Sequence, residues 1–385
     1  MVFICPICKN TDKKYIGYKN NIPYCRRCIS FCGEPASERS YVLGEESKGV
    51  IKYPLSNDQI RIANEILENF KSKKNTLVYA VCGAGKTELV FKVIEFALQN
   101  NMQVGFAIPR KDVVIELANR LKNTFKNNKV IGLYGGNTNE LNGDIIVLTT
   151  HQLYRYEKYF DLLIMDEIDA FPYKDNPVLI EMFKRSIKGN YVFMSATPSK
   201  TIIKEFSNEK SSIVKLFTRY HLNPIPIPKI KKEWGFDMKL YLIKQLKLYK
   251  KEQKPCLVFA PTIYETEAIF KFINYFVKGG ECVHSKKKNR GQIIEEFRKK
   301  KYSFLVTTAI LERGVTLKNL QVIIYHSDDE IYNSSSLIQI SGRVGRIKDA
   351  PKGDVIFLCS KETNDMKEAI NTLEEANKHL KNEAI

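Results

Sequence analysis

The chain has 385 residues, room for two domains of ordinary size and a small extra piece, and 44% hydrophobic with 27% charged residues excludes wholesale disorder. No stretch approaches the roughly 18 apolar residues of a membrane span. The start, Met1-Val-Phe-Ile-Cys-Pro, lacks the pattern of a secretory signal, so a cytoplasmic chain is expected. The net charge of +18 divides as +4 over 1–44, +5 over 45–222 and +9 over 223–385. It points to a polyanionic partner, nucleic acid or an anionic membrane face, against the plainer reading of well-solvated lysines.

The first 44 residues hold Cys5-x2-Cys8 and Cys25-x2-Cys28. Each pair can form a tight turn that aims two thiolates at one ion, and four sulfurs in tetrahedral array suit Zn2+. The intervening segment, with Tyr15 and Tyr18, reads as a short hairpin joining the turns. So short a piece builds little core, so the metal would supply its folding energy. Cys32 reads as a bystander, and Cys82, Cys256, Cys282 and Cys359 as core fillers. Lys13, Lys14, Lys19, Arg26 and Arg27 interleave with Tyr15, Tyr18 and Tyr24. That mixture suits single-stranded nucleic acid, through phosphate pairing and base stacking. A structural ribbon packed on the main body or on a protein partner reads equally well.

An amphipathic helix is expected from Asp58, with Gln59 in its first turn. A glutamine amide donates and accepts at once, which matches an adenine edge, although an exposed helix glutamine is the commoner case. Strands follow at Thr76–Ala80, Val104–Ile108, Asp144–Thr149, Leu162–Asp166 and Tyr191–Ser195, with helical patterns between most of them. Continuous apolar strands separated by helices predict a parallel sheet covered on both faces.

Ala80-Val-Cys-Gly-Ala-Gly-Lys-Thr87 leaves the first of these strands and opens a helix. Gly83, Ala84 and Gly85 let the backbone wrap phosphate oxygens. Lys86 would reach the β- and γ-phosphates of ATP, and Thr87 would hold Mg2+. Asp166-Glu-Ile-Asp169 ends another strand, which places its carboxylates at the same sheet edge. Asp166 is expected on Mg2+ and Glu167 on the attacking water, with Asp169 linking this box to the second lobe.

Asn223-Pro-Ile-Pro-Ile-Pro-Lys229 is a stiff connector. Beyond it the alternation restarts with strands at Cys256–Ala260, Phe304–Thr307, Val322–Tyr325 and Val355–Leu358, and a solvated helix is expected from Thr363. Lys286-Lys-Lys-Asn-Arg290 reads as a solvated loop or as part of a nucleic-acid track. The fold class is α/β, with a zinc-binding module over 1–44, a first lobe over 45–222 and a second over 223–385.

Eight segments in order resemble the motifs of superfamily-two helicases. They are Ala80–Thr87, Pro109-Arg110, Thr149–Gln152, Asp166–Asp169, Ser195–Thr197, Val258–Thr262, Thr307–Gly314 and Gln339–Arg346. Within that superfamily, Asp166–Tyr173 and the four-cysteine module resemble the DNA-uptake ATPases of natural competence. The resemblance implies two RecA-like lobes behind a small zinc ribbon, with ATP in the cleft between them. It implies Gly314, Arg343 and Arg346 on the nucleotide, the two arginines as fingers against developing charge on the γ-phosphoryl group. Arg110, Thr150, Gln152, Thr307 and Thr308 are implied to touch single-stranded DNA. The implied function is a single-stranded DNA translocase of DNA uptake. The implied partners are a membrane DNA channel, a phosphoribosyltransferase-like competence protein and single-strand-binding proteins, with peripheral attachment at the inner membrane face. The alternatives are a primosomal or repair-type helicase and an ATP-gated clamp that does not move.

Overall fold

The structure is a computed structural model that describes residues 3–31, 33–37, 49–50, 54–308 and 317–382. Cys32, Gly314 and the rest of 309–316 lie outside the described residues. Two compact units are present, Met1–Ala80 with Gly85–Leu216, and Val81–Ala84 with Phe217–Ile385.

The first unit opens with an antiparallel hairpin, β1 (Ile16–Lys19) and β2 (Ile22–Cys25), in which Lys19 pairs with Ile22. Asn20 and Asn21 form its two-residue turn with φ of 50° and 63°, the left-handed pair that suits a hairpin's twist and that asparagine tolerates. Helix α1 (Asn57–Lys71) is closed at its start by a reciprocal capping box between Ser56 and Gln59, and buries Ile62, Ala63, Ile66, Leu67 and Phe70 along one face.

A seven-stranded sheet follows, built from β3 (Asn75–Ala80), β4 (Val104–Ile108), β5 (Val130–Leu133), β6 (Ile145–Thr149), β7 (Phe160–Asp166), β8 (Ile187–Ser195) and β9 (Ser211–Leu216). Its order is β5-β6-β4-β7-β8-β3-β9 and every pairing is parallel. Helices α2 (Lys86–Leu89), α3 (Phe91–Gln99), α4 (Lys111–Thr124), α5 (Pro177–Ser186) and α6 (Lys200–Glu205) connect it. β4 and β6 are buried at every residue, as strands covered on both faces must be.

The hairpin module packs on this lobe. Its four cysteines join the core cluster of the sheet, and Phe3, Ile7, Phe31 and Ala36 pack against that cluster.

The second unit holds a six-stranded sheet of β10 (Lys229–Lys232), β11 (Cys256–Phe259), β12 (Gly280–Val283), β13 (Phe304–Thr307), β14 (Gln321–Tyr325) and β15 (Val355–Cys359), again wholly parallel, in the order β10-β15-β14-β11-β13-β12. Its helices are α7 (Gly235–Lys251), α8 (Ile263–Phe276), α9 (Arg290–Arg298), α10 (Ser334–Ser341) and α11 (Asn364–Asn382). Met238, Leu242 and Leu246 of α7 and Ile269 and Ile273 of α8 bury against Val258, Val306 and Ile323 of the sheet. Two parallel-sheet lobes and a close four-cysteine cluster are the fold class that the motifs imply. Among the described residues no helix is long and apolar enough to cross a membrane.

Candidate nucleotide and nucleic-acid site

All strands of the first lobe run the same way, so their carboxyl ends share one edge. β3 leads there into the phosphate loop, β7 ends at Asp166, and β8 ends at Ser195. The register sets Tyr79 beside Ser195 and Asp166 beside Met194. With neighbouring strands about 4.8 Å apart, β7 and β3 stand about 10 Å from each other, room for a nucleotide's phosphates and one cation.

Gly83 and Gly85 both take positive φ, 86° and 78°. Positive φ at these two glycines is the backbone conformation that a phosphate-cradling loop uses. Lys86 Nζ donates to the Ala80 carbonyl at 2.9 Å and so folds back over its own loop. Gln59 is buried and lies against Gly85: a Cβ on that glycine would stand 2.6 Å from Gln59 Nε2. The Gln59 carboxamide oxygen accepts from Ser56 N at 2.9 Å, so the amide is held by the cap of α1 and its Nε2 faces the loop.

At the acidic box, Asp166 Oδ1 accepts from Glu167 N at 2.8 Å. Glu167 has φ of 59°, and its N–H also donates to Met194 O at 3.1 Å. A non-glycine residue in the left-handed region is held there by its surroundings, which fixes where its carboxylate stands. Thr87 and Asp166 supply a hydroxyl and a carboxylate, the hard oxygen donors that Mg2+ takes.

Asp169 stands between two hydroxyls. Its Oδ1 accepts from Ser195 Oγ at 2.9 Å and its Oδ2 from Thr197 Oγ1 at 2.8 Å, while Thr197 N donates to Ser195 Oγ. These bonds tie the ends of β7 and β8 within the first lobe. Adjacent parallel strands bring together residues that are 26 and 28 apart in sequence.

The nucleic-acid candidates fall unevenly. Arg110, Gln152 and Thr308 are part-exposed, whereas the Thr150 and Thr307 side chains are enclosed. Thr307 Oγ1 donates to Thr308 O at 3.1 Å. Gln152 sits on a 3-10 helix, Thr150–Arg155, that also receives the cysteine module. Phe31 stacks on His151 with centroids 6.1 Å apart and tilts against Tyr154 at 5.8 Å. Ala36 N donates to Arg155 O at 2.9 Å, and Arg155 Nη1 donates to Glu34 O at 2.7 Å. Arg155 Nε donates to Gln152 Oε1 at 2.8 Å, so a candidate strand contact and the module share one guanidinium. Arg155 and Phe31 carried no sequence signal, since neither belongs to a recurring spacing.

The four thiols of the module are buried and all lie within 4.8 Å of one another, with Cys5 and Cys28 sulfurs at 3.8 Å and Cys8 and Cys25 at 3.7 Å. A tetrahedron with Zn–S near 2.3 Å has S···S edges of about 3.8 Å, so the donor set fits Zn2+. Burial pushes the Cys8 thiol up to about 11, a cost that a bound cation would offset by favouring thiolates. Beside the cysteines, Phe3, Tyr18, Ile22, Tyr24 and Ile29 line an apolar groove of about 790 Å³, and Arg27 lies 3.8 Å over the Tyr15 ring.

In the second lobe, α10 and the turn after it carry Gln339, Arg343 and Arg346. Gln339 and Arg343 are buried and Arg346 is part-exposed, its Nε donating to Gly342 O at 2.8 Å.

Residues 52–200 match the family model described as "Type III restriction enzyme, res subunit", and residues 238–348 match "Helicase conserved C-terminal domain". The chain is 34% identical to competence protein ComFA of Bacillus subtilis, over 97% of this chain and 85% of that protein. It is also 34% identical to competence protein ComFA of Streptococcus pneumoniae, over 92% and 86%. The fold is shared with yeast Dbp5 bound to RNA and ADP BeF3, at a TM-score of 0.60 and 14% identity over 84% of this chain and 92% of that one. Motifs, paired sheets and full-length identity thus agree, and the chain belongs to the ComFA family of superfamily-two helicases, as an ATP-hydrolysing enzyme.

Proposed function

We propose that this chain is an ATP-driven single-stranded DNA translocase that serves the uptake of DNA in natural competence. The observation that carries the reading is 34% identity across nearly the whole chain to competence proteins of two organisms. Lys86 binds the β- and γ-phosphates, while the backbone of Gly83, Ala84 and Gly85 wraps them. Thr87 and Asp166 would hold Mg2+, which supplies charge neutralisation to phosphoryl transfer. Glu167 orients the attacking water and takes its proton, and Gln59 and Gly314 contact the nucleotide. Arg343 and Arg346 stabilise charge on the γ-phosphoryl oxygens, an effect of about 10³–10⁵ in rate for arginine fingers.

Arg110, Gln152 and Thr308 contact backbone phosphates, which gives position without sequence information and makes binding salt-sensitive. Thr150 and Thr307, whose side chains are enclosed, contribute through their backbone. Cys5, Cys8, Cys25 and Cys28 hold Zn2+, and the basic and aromatic face of the module extends the strand path. The partners are a membrane DNA channel, a phosphoribosyltransferase-like protein and single-strand-binding proteins. The chain works in the cytoplasm beside the membrane.

The test is steady-state ATP hydrolysis with single-stranded DNA, duplex DNA or single-stranded RNA, with Lys86→Ala and Glu167→Gln as controls. Stimulation by single-stranded DNA alone, lost in both variants, supports the reading. Best turnover on RNA, or equal turnover on all polymers, refutes it. Directional displacement of a protein block from one DNA end separates a translocase from a stationary clamp.

A further inference from the structure

Arg219 is one of the largest fully buried side chains of the described chain, 1% exposed, and no carboxylate accepts from it among the described residues. It faces a backbone turn instead. Its Nη1 donates to the carbonyls of Val344 at 2.8 Å and Gly345 at 2.7 Å, and its Nη2 donates to Gly342 at 3.3 Å. These carbonyls belong to the turn that bears Arg343 and Arg346. Arg346 Nε donates to the same Gly342 carbonyl at 2.8 Å, so two guanidinium groups share one acceptor. Burial and the Arg346 charge bring the Arg219 pKa down to about 10, which still leaves the side chain cationic at neutral pH.

The neighbours of Arg219 hold the same turn. His221 Nε2 meets Gly345 O at 3.0 Å, while Asn223 N donates to Nδ1 at 3.1 Å. Since Nδ1 accepts, the ring proton sits on Nε2 and is donated to the carbonyl. The Tyr220 hydroxyl accepts from Lys348 N at 3.3 Å. Arg219-Tyr220-His221 is therefore a strap across residues 342–348. Its other side meets Gly83, which falls in the same compact unit. Tyr220 N donates to Gly83 O at 3.4 Å, and a Cβ at Gly83 would stand 3.6 Å from Arg219 Nε. That Nε is buried and, among the described residues, has no hydrogen-bond partner.

Stability alone does not account for such a residue. A buried charge held without a counter-ion carries a desolvation cost of several kcal/mol, and apolar side chains of similar volume usually serve a core as well or better. What an arginine adds here is a rigid fork that holds three carbonyls in one arrangement. We propose that Arg219, seconded by His221, is a positioning residue for ATP hydrolysis. It sets the turn that aims Arg346 and does not itself touch the nucleotide. The proposal rests on the reading of Arg346, with Arg343, as the groups that stabilise phosphoryl charge.

The test uses the full chain with ATP and single-stranded DNA. It compares Arg219→Gln, Arg219→Lys, Arg346→Ala, Arg343→Ala and the double variant Arg219→Gln/Arg346→Ala for kcat, KM, binding of a non-hydrolysable ATP analogue and thermal midpoint. A misplacement of about 1 Å costs up to about 100-fold in rate, so Arg219→Gln is expected to lower kcat by about 10–100-fold. Analogue binding should stay within about twofold, and Arg219→Lys should recover part of the loss. Because Arg219 acts through Arg346, the double variant should be no slower than Arg346→Ala beyond about twofold.

Equal fold-losses of Arg219→Gln in both backgrounds would overturn the proposal. So would native kcat at temperatures below a lowered thermal midpoint, the signature of a purely structural role. Native kcat in both Arg346→Ala and Arg343→Ala would instead remove the underlying reading. Should Arg219→Gln fail to fold, His221→Gln addresses the same turn by one bond. A smaller kcat loss that vanishes in the Arg346→Ala background supports the proposal, and an undiminished one refutes it.

Discussion

Substituting Gly85 by alanine tests whether the phosphate loop's backbone geometry sets nucleotide affinity. Gly85 has φ of 78°, and a side chain there costs about 1–2 kcal/mol. The added Cβ would also stand 2.6 Å from Gln59 Nε2. Gln59 cannot simply swing away, because it is buried and its Oε1 is held in the capping box of α1. Breaking that cap costs about 0.5–2 kcal/mol. Together these give about 1.5–4 kcal/mol charged against the phosphate-binding shape of the loop, or roughly 10–700-fold weaker nucleotide binding at 1.4 kcal/mol per decade. Titration of a fluorescent ATP analogue, with the thermal midpoint recorded in parallel, measures it. Gly291→Ala is the control: it sits in α9 with nothing within 4 Å of an added Cβ, so it should leave binding unchanged. Binding by Gly85→Ala within threefold of the native chain would refute the argument that this loop is pre-shaped through Gly85.

Three further outcomes are expected. Cys8→Ser should abolish bound zinc and unfold the module as a whole, because structural zinc supplies about 10–16 kcal/mol in small metal-folded domains. Metal content and proteolysis within residues 1–37 check it, with single-stranded DNA affinity falling as Arg155 loses its Glu34 contact. Asp169→Ala leaves the buried Ser195 hydroxyl without that acceptor and should cost about 1–3 kcal/mol in urea unfolding; Asp169→Asn, which keeps one acceptor oxygen, should cost less. Burial holds His221 below its ordinary value, so the folded state binds fewer protons than the unfolded one around pH 6. The stability that neutral His221 contributes is thus present above the ordinary histidine range and is lost as pH falls through it. His221→Gln should flatten that part of the pH–stability profile, and an unchanged profile would count against the assigned tautomer.

What the amino-acid order alone determined was the local chemistry. Cys-x2-Cys pairs sit close because a tight turn needs few residues, and the turn Asn20-Asn21 closes the hairpin between them for the same reason. The phosphate loop and the acidic box were legible because each is a short contiguous segment at the end of an apolar strand, and a parallel sheet puts such ends on one edge; the arginines after α10 were legible only through the motif they resemble. Short edge strands escaped: Lys229–Lys232 reads as a charged continuation of the Pro-rich connector, and Gly280–Val283 has little strand pattern, since an edge needs less apolar burial than a centre. Only the tertiary structure decided which side chains meet across distant segments. It turned Asp169 toward Ser195 and Thr197, stacked Phe31 on His151, and closed Arg219 over carbonyls 123–126 residues away. The first two join side chains from separate segments, and the last joins a side chain to backbone carbonyls, which are the same in every residue. No spacing in the sequence can announce them; the packing of strands and helices selects the partners.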